Sequence, residues 1–298
     1  MDVAVVGAGA IGSTIAAMLT PANQVTLVGH DTAHVKRLRN EPLSVRTPDG
    51  MRLERTVTVT TDHEAVAGSD LVVLAVKSYD TETALTDIEP FVSNLDVLTV
   101  QNGLGNIEAI RERIDPASVI GGTTTMGATL PRPGVVRIES YGTTRIGRPW
   151  ADNETKLAEI QASFQNGGFP TQIDPSIRHA IWEKVLVNVG INPITALTGV
   201  QNGALVNEPG RTLLEQTIKE AQRVAVAEGY EIDDAVDTAL SVAQDTAHNY
   251  SSMLRDVKAG NKTEVGALNG AIVERADSQG ISVPVNRTLT AVVRLKSS

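Results

Sequence analysis

Val3-Ala4-Val5-Val6-Gly7-Ala8-Gly9-Ala10-Ile11-Gly12 is the stretch on which the reading of this chain turns. Four consecutive apolar residues are the pattern of a strand buried on both faces. The next six read G-x-G-x-x-G, and residues 11–19 continue at helical spacing. Between a buried strand and a helix, this glycine spacing has a mechanical meaning. Gly7 makes the tight turn, Gly9 lets a phosphate approach the backbone, and Gly12 lets the helix pack closely on the strand. The helix N-terminus then offers N–H groups and partial positive charge to a pyrophosphate. On this reading Gly7, Ala8, Gly9, Ala10, Ile11 and Gly12 form a dinucleotide-binding turn. The plain alternative is a generic strand-to-helix turn.

Working outward, residues 24–28 read as a second strand that ends at Gly29-His30-Asp31. An acidic residue at this tip would select NAD through the ribose hydroxyls. Gly29 instead leaves room for a 2′-phosphate, Asp31 stands late, and His30, Thr32 and Lys36 are available to meet one. NADP(H) is therefore favoured, with NAD(H) as the alternative. His30 and His34 have the i, i+4 spacing of a metal pair. No third ligand is near them in sequence, so a surface histidine pair is expected and no metal site is assigned.

Residues 43–59 read as a hairpin turning at Pro48-Asp49-Gly50. Residues 71–76 and 96–100 are further buried strands, and residues 135–138 and 144–146 are later ones, expected to be antiparallel. Past Asp174-Pro175 strand signals almost vanish. Helices are expected over 176–191, 210–228, 233–247, 252–259 and 263–278, with Gly229 and Gly280 as stops, and a last one from near Asn286. The fold expected is an α/β Rossmann-type dinucleotide-binding domain with a parallel sheet over residues 1–174, followed by an all-α domain over 175–298.

Composition narrows the partners. The formal charge of −9 disfavours nucleic acid and anionic membranes, because no basic field attracts phosphates. An acidic ligand must then find a local positive pocket. The absence of cysteine removes disulfides, thiolate nucleophiles and Cys-type zinc sites. No stretch approaches the roughly 18 apolar residues of a membrane span. The chain opens directly as a strand, with no signal peptide, so a cytoplasmic protein is expected.

Three segments carry candidate chemistry. Val76-Lys77-Ser78 and Gln101-Asn102-Gly103 end parallel strands, where ligands collect in open α/β sheets. In Trp182-Glu183-Lys184-Val185-Leu186-Val187-Asn188-Val189-Gly190-Ile191-Asn192-Pro193, Lys184 and Asn188 share a helix face, with Asn192 one turn on. A lysine on so apolar a helix costs desolvation unless it faces a cleft. Taken alone, it also suits a snorkelling surface lysine. Glu264 alone suits the first turn of a helix, Ser251 or Ser252 an N-cap, and Asn102 a turn residue. Thr123-Thr124-Thr125, after Gly121-Gly122, receives no role.

Taken together, these residues resemble the ketopantoate reductase family. The G-A-G-A-I-G turn, the A-V-K, the Q-N-G, the W-x-K-x-x-x-N-x-x-x-N-P, the S-S-M and the K-T-E-V-x-x-L-N-G occur in that family's order over nearly the whole chain. The resemblance implies a 6-phosphogluconate dehydrogenase-like helical domain. It implies that Lys184 is the general acid, and that Glu264 holds the substrate hydroxyl and orients the lysine. Asn188 and Asn192 match substrate or lysine contacts, and Asn249 and Ser252 the residues that bind the substrate's carboxylate end. Lys77 and Asn102 match positions lining the cofactor and the cleft. One departure stands out: the family often has Arg where this chain has His30, which leaves the usual 2′-phosphate contact open.

The resemblance implies NADPH-dependent reduction of 2-dehydropantoate to pantoate, on the route to pantothenate and coenzyme A. Two alternatives stay beside it. One is reduction of another 2-keto acid on the same scaffold. The other is a non-catalytic NADP(H)-sensing protein, which would need neither Lys184 nor Glu264. A homodimer through the helical half is the oligomer expected.

Overall fold

The computed structural model describes residues 1–152 and 154–297. The chain divides into two compact units, residues 1–101 with 106–180, and residues 102–105 with 181–298. The division at 180/181 falls within a helix, six residues past the expected boundary.

The first unit is built on β1 (Asp2–Val6), α1 (Ala10–Leu19), β2 (Gln24–Val28) and α2 (Ala33–Leu38). There follow β3 (Leu43–Arg46), β4 (Arg52–Arg55), β5 (Thr58–Thr60), β6 (Leu71–Leu74) and α3 (Thr81–Ile88). Next come β7 (Asp96–Thr99), α4 (Asn106–Arg111), β8 (Val119–Thr124), β9 (Gly127–Arg132), β10 (Val135–Ser140), β11 (Thr144–Gly147), α5 (Glu154–Asn166) and β12 (Thr171–Ile173).

Eight strands form the main sheet in the order β12-β11-β8-β7-β6-β1-β2-β5. From β5 to β8 all pairings are parallel; β11 then runs antiparallel to β8. The central strands are apolar and fully buried, with Ala4, Val5, Val72 and Val73 all at 0% exposure, as a sheet covered on both faces requires.

The hairpin is β3–β4, pairing Leu43 with Arg55 and Arg46 with Arg52. It ends earlier than expected, because residues 58–60 leave it to pair with β2 at the edge of the main sheet. The hairpin joins a second sheet, β4-β3-β10-β9. There β10 is antiparallel to β9 and parallel to β3. Strand β8 escaped the sequence reading because Gly121-Gly122 depresses strand propensity. The glycine is needed: a Cβ on Gly122 would stand 2.9 Å from the Thr99 carbonyl oxygen on β7.

His34 is not a surface residue. It is 5% exposed, its Nε2 lies 3.0 Å from Ser13 Oγ, and its Nδ1 accepts the Gly134 N–H at 2.9 Å. The ring ties α1 and α2 to the β9–β10 turn, and burial lowers its pKa. His30 lies ahead of α2 and is exposed while His34 is buried, so the two do not form a surface pair.

The second unit comprises α6 (Ile177–Thr198, its first turn in the other unit), α7 (Gly210–Ala227), α8 (Ala235–Asp245), α9 (Ser252–Lys258), α10 (Asn269–Gln279) and α11 (Pro284–Lys296). It contains no strand among the described residues. Gly229 and Gly280 have φ of 89° and 69°, the left-handed conformation that closes α7 and α10. The first helix runs longer than expected, through Pro193. The expected helix over 263–278 is broken: a short turn at Glu264–Gly266 precedes Leu268, whose φ of −103° and ψ of −102° are non-helical. The last helix begins at Pro284 itself, where a missing N–H costs nothing. Gly190 brings α6 onto α7; a Cβ there would stand 2.7 Å from Ile218.

Candidate functional site

The three glycines of the turn meet different surroundings. Gly7 has φ of 113°, and a Cβ on it would lie 2.7 Å from the Ala75 backbone. A Cβ on Gly12 would lie 1.9 Å from the Gly7 carbonyl oxygen. Both are dictated by packing. A Cβ on Gly9 would meet nothing within 4 Å. Gly9 is the N-cap of α1, and no side chain caps that first turn. The space in front of these N–H groups is therefore open to an anion, as a pyrophosphate requires.

The turn is one wall of a crevice. Gly7 and Ala8 line it with Val28, Gly29, His30 and Val76, at the carboxyl ends of β1, β2 and β6. His63, Asp80, Thr83, Ala84 and Asp87 complete its lining. This is where an open α/β sheet takes a nucleotide, and the residues present fit one. Gln101 ties the strand ends here: its Nε2 donates to the Val76 carbonyl at 2.9 Å and to Thr81 Oγ1 at 2.8 Å. Lys77 is half-buried just past β6.

The strand tip has another reason to be glycine. A Cβ on Gly29 would stand 2.5 Å from that of Ala8. Gly29 thus lets the glycine turn approach β2, whatever the cofactor carries at its 2′ position. Beyond it His30 is exposed, and Asp31 is ion-paired with Lys36 at 3.1 Å and Arg39 at 3.4 Å. Arg39 was missed in the sequence because it lies eight residues past Asp31; α2 folds it back.

Thr123–Thr125 serve the sheet. Thr124 Oγ1 lies 3.0 Å from Thr144 Oγ1, and Thr125 Oγ1 accepts the Thr143 N–H at 2.9 Å.

The second unit gathers the other candidates. Lys184 and Asn188 are half-buried on α6, and Asn192 and Glu264 are each 7% exposed. Burial pushes the Lys184 ammonium down to about 8, and the Glu264 carboxylate opposes that fall. Asn102 Nδ2 donates to Glu264 Oε2 at 3.3 Å. Gly103 holds it there: its φ is 94°, a Cβ would stand 2.4 Å from the Ala267 carbonyl oxygen, and that oxygen accepts the Leu104 N–H at 2.9 Å. Asn102 therefore stands with Glu264 among the helices.

Ser251 is the N-cap of α9, accepting the Leu254 N–H at 3.1 Å and lying 2.7 Å from Thr195 Oγ1. Ser252, first in the helix, is half-buried, and Asn249 is exposed. Asn202 is a residue the sequence reading missed. Its N–H donates to the Asn249 carbonyl at 3.0 Å and its Nδ2 to Thr246 Oγ1 at 2.9 Å. Its Oδ1 is buried without a hydrogen-bond partner. The signal was present, for Val-Gln-Asn-Gly occurs twice, at 100–103 and 200–203. Among the described residues, no three His, Cys, Asp or Glu side chains gather as metal ligands.

The chain matches two family models, Ketopantoate reductase PanE/ApbA over residues 3–150 and Ketopantoate reductase PanE/ApbA C terminal over residues 176–297. The chain belongs to the ketopantoate reductase family. It is 46% identical to the 2-dehydropantoate 2-reductase of Halobacterium salinarum, covering 99% of this chain and 98% of that protein. The corresponding enzyme of Pyrococcus horikoshii is 34% identical over 100% of this chain and 98% of its own. A crystal structure of a ketopantoate reductase from Ralstonia eutropha JMP134 superposes with a TM-score of 0.91 at 31% identity, covering 100% and 98% of the two chains. The family fold extends further: D-mandelate dehydrogenase, solved with NADH and anilino(oxo)acetate, has a TM-score of 0.92 at 24% identity. Ketopantoate reductases are oxidoreductases, and the glycine turn suits the nicotinamide dinucleotide such chemistry uses. No helix among the described residues is long and apolar enough to cross a membrane.

Proposed function

We propose that this chain reduces the ketone of 2-dehydropantoate to the alcohol of pantoate with NADPH, in the cytoplasm. The observation that carries the reading is Lys184 on α6 within electrostatic reach of Glu264, a buried carboxylate that accepts from Asn102 Nδ2 at 3.3 Å; burial brings the ammonium down to about 8 and the carboxylate favours its charged form. When bound, the nicotinamide supplies the hydride. Lys184 supplies the proton: negative charge grows on the carbonyl oxygen, and the ammonium both stabilises it and donates. A pKa near the working pH suits that task, and general acid help of about 10²–10⁴-fold corresponds to roughly 3–5 kcal/mol. Glu264 accepts the substrate hydroxyl and favours the protonated lysine. Asn188 and Asn192 contact the substrate or the lysine, and Asn249 and Ser252 hold the carboxylate end. In a chain of charge −9, Lys184 is the local cation an anionic keto acid needs. His30, Lys36 and Arg39 support the preference for NADPH.

The test is cofactor oxidation with a panel of 2-keto acids. Turnover of 2-dehydropantoate above the others is expected; strong turnover of another acid with none of this one overturns the substrate. Tight NADPH binding without turnover of any would instead indicate a sensor. Lys184→Ala should lower kcat about a hundredfold or more, and near-normal turnover would remove Lys184 from its role.

A further inference from the structure

Pro193 stands inside α6. Proline has no N–H, so the carbonyl four residues earlier, that of Val189, loses its helical partner. Val189 is fully buried, and an unpaired carbonyl there would be costly. A side chain fills the place: Asn269 Nδ2 lies 3.2 Å from the Val189 oxygen. Asn269 is itself 0% exposed, at the start of α10 and five residues past Glu264.

The contact belongs to a buried polar chain. Asn269 Nδ2 also donates to Asn286 Oδ1 at 3.0 Å, and Asn286 Nδ2 donates to Glu220 Oε2 at 2.9 Å. Glu220 accepts the N–H groups of Val285 and Asn286 at the head of α11, at 3.0 and 2.9 Å. Four helices, α6, α7, α10 and α11, thus meet on directional bonds within an apolar core. Apolar packing tolerates sliding; directional bonds through Asn269 Nδ2, whose own Oδ1 is buried without a partner, set one register.

That register matters at both ends of the Asn269 contact. Val189 belongs to the helix that carries Lys184, Asn188 and Asn192. Asn269 follows directly on the turn that carries Glu264, whose carbonyl accepts the N–H groups of Ala267 and Leu268 at 3.1 and 3.2 Å. We propose that Asn269 is a positioning residue for the reduction: it replaces the donor that Pro193 lacks, and so locks the Lys184 helix against the Glu264 turn. The proposal rests on the reading of Lys184 as proton donor and Glu264 as its partner.

The test compares Asn269→Ala, Pro193→Ala and the double variant, by kcat and by the pH profile of kcat/KM with NADPH and 2-dehydropantoate. Pro193→Ala restores a backbone N–H for the Val189 carbonyl. Asn269→Ala should lower kcat about tenfold or more, since a small misplacement of reacting groups is expensive. Its alkaline limb should move to lower pH, as Lys184 loses support from Glu264. In the Pro193→Ala background the same change should cost less than about threefold, because the two donors substitute for one another. A folded Asn269→Ala enzyme with kcat within about twofold of wild type, or an equal loss in both backgrounds, overturns the proposal. If Asn269→Ala does not fold alone, Asn269→Ser is measured in both backgrounds against the same outcomes. Lys184→Ala separates the two readings: retained turnover there overturns the underlying chemistry, whereas an inactive Lys184→Ala beside uncoupled Asn269 variants overturns this inference alone.

Discussion

The side-chain amide of Asn102 donates to Oε2 of Glu264 across 3.3 Å, joining residues 162 positions apart. Glu264 is buried, and its charge raises the affinity of Lys184 for a proton. Glu264→Gln removes that charge and keeps the shape. Lys184 should then release its proton at lower pH. The alkaline limb of kcat/KM should move below about 8, together with a loss of activity. A limb that stays in place or rises would show that the carboxylate does not act on the lysine. Asn102→Ala leaves the carboxylate one donor short and should raise KM for the keto acid several-fold, about 1 kcal/mol.

The wild-type profile follows from the same group. With Lys184 as the proposed proton donor, reduction needs the ammonium form, so kcat/KM should hold up to a pH near 8 and then fall about tenfold per pH unit. Stability carries the opposite trend. Lys184 holds its proton less tightly folded than unfolded, so between about 8 and 10.5 the unfolded chain binds the extra proton. Its contribution to stability therefore rises with pH across that window. Below it the fold bears the full cost of a desolvated ammonium, on the order of 3 kcal/mol. A rate that keeps rising beyond pH 9 would remove Lys184 as proton donor.

The glycine turn separates packing from binding. Gly9→Ala places its methyl in open space, so the melting temperature should stay within about 2 °C while KM for the cofactor rises about tenfold or more. Gly12→Ala drives a methyl to 1.9 Å from the Gly7 oxygen and should destabilise the fold by several kcal/mol, on the order of 3. Equal thermal losses in the two variants would refute the assignment of Gly9 to the ligand.

What the sequence disclosed depended on how local its cause was. Strand-turn-helix at the start, helix stops at Gly229 and Gly280, and the lysine face of α6 all follow from short-range periodicity and glycine chemistry. Strand β8 did not, because its glycines answer to Thr99 on a neighbouring strand. His34 looked like a surface pair with His30, because its partners Ser13 and Gly134 lie 21 and 100 residues away. Asn102 read as a turn residue on its own and, by resemblance, as lining the cofactor and the cleft; its bond to Glu264 is set by tertiary packing. Gly29 has a second cause, since its bareness also admits Ala8, so the glycine alone does not choose between NADP and NAD.

Cofactor preference should therefore answer to charge and not to the strand tip. Lys36 and Arg39 flank Asp31, and His30 is exposed beside them. Lys36→Ala and Arg39→Ala should each raise KM for NADPH about fivefold and leave NADH within about twofold, the loss of one exposed charge contact. Asp31→Asn, which frees both cations, should favour NADPH. Steady-state kinetics with both cofactors decides; equal effects on NADH and NADPH would place the 2′-phosphate elsewhere. Gly29→Ala should impair both cofactors alike.

His34 makes the acid side of stability testable. The Gly134 N–H points at Nδ1, so that nitrogen carries no proton and Nε2–H donates to Ser13. Protonating Nδ1 would set two hydrogens face to face at a 2.9 Å contact. Burial already holds the pKa below its usual 6.5. Below that value the unfolded chain binds a proton the fold resists, so the contribution of His34 is intact above about 6.5 and is lost as pH falls, by up to about 1.4 kcal/mol per pH unit. Carboxylates titrate over part of the same range, so the informative quantity is a difference between proteins. His34→Gln cannot protonate. It should be less stable than wild type at pH 7.5 by about 1–2 kcal/mol, through poorer hydrogen bonding. By pH 5 that gap should close or reverse, because only the wild type is losing a neutral histidine. Urea unfolding midpoints at the two pH values measure the gap. A gap that stays constant would mean that the β9–β10 turn yields without cost and that His34 titrates freely within the fold.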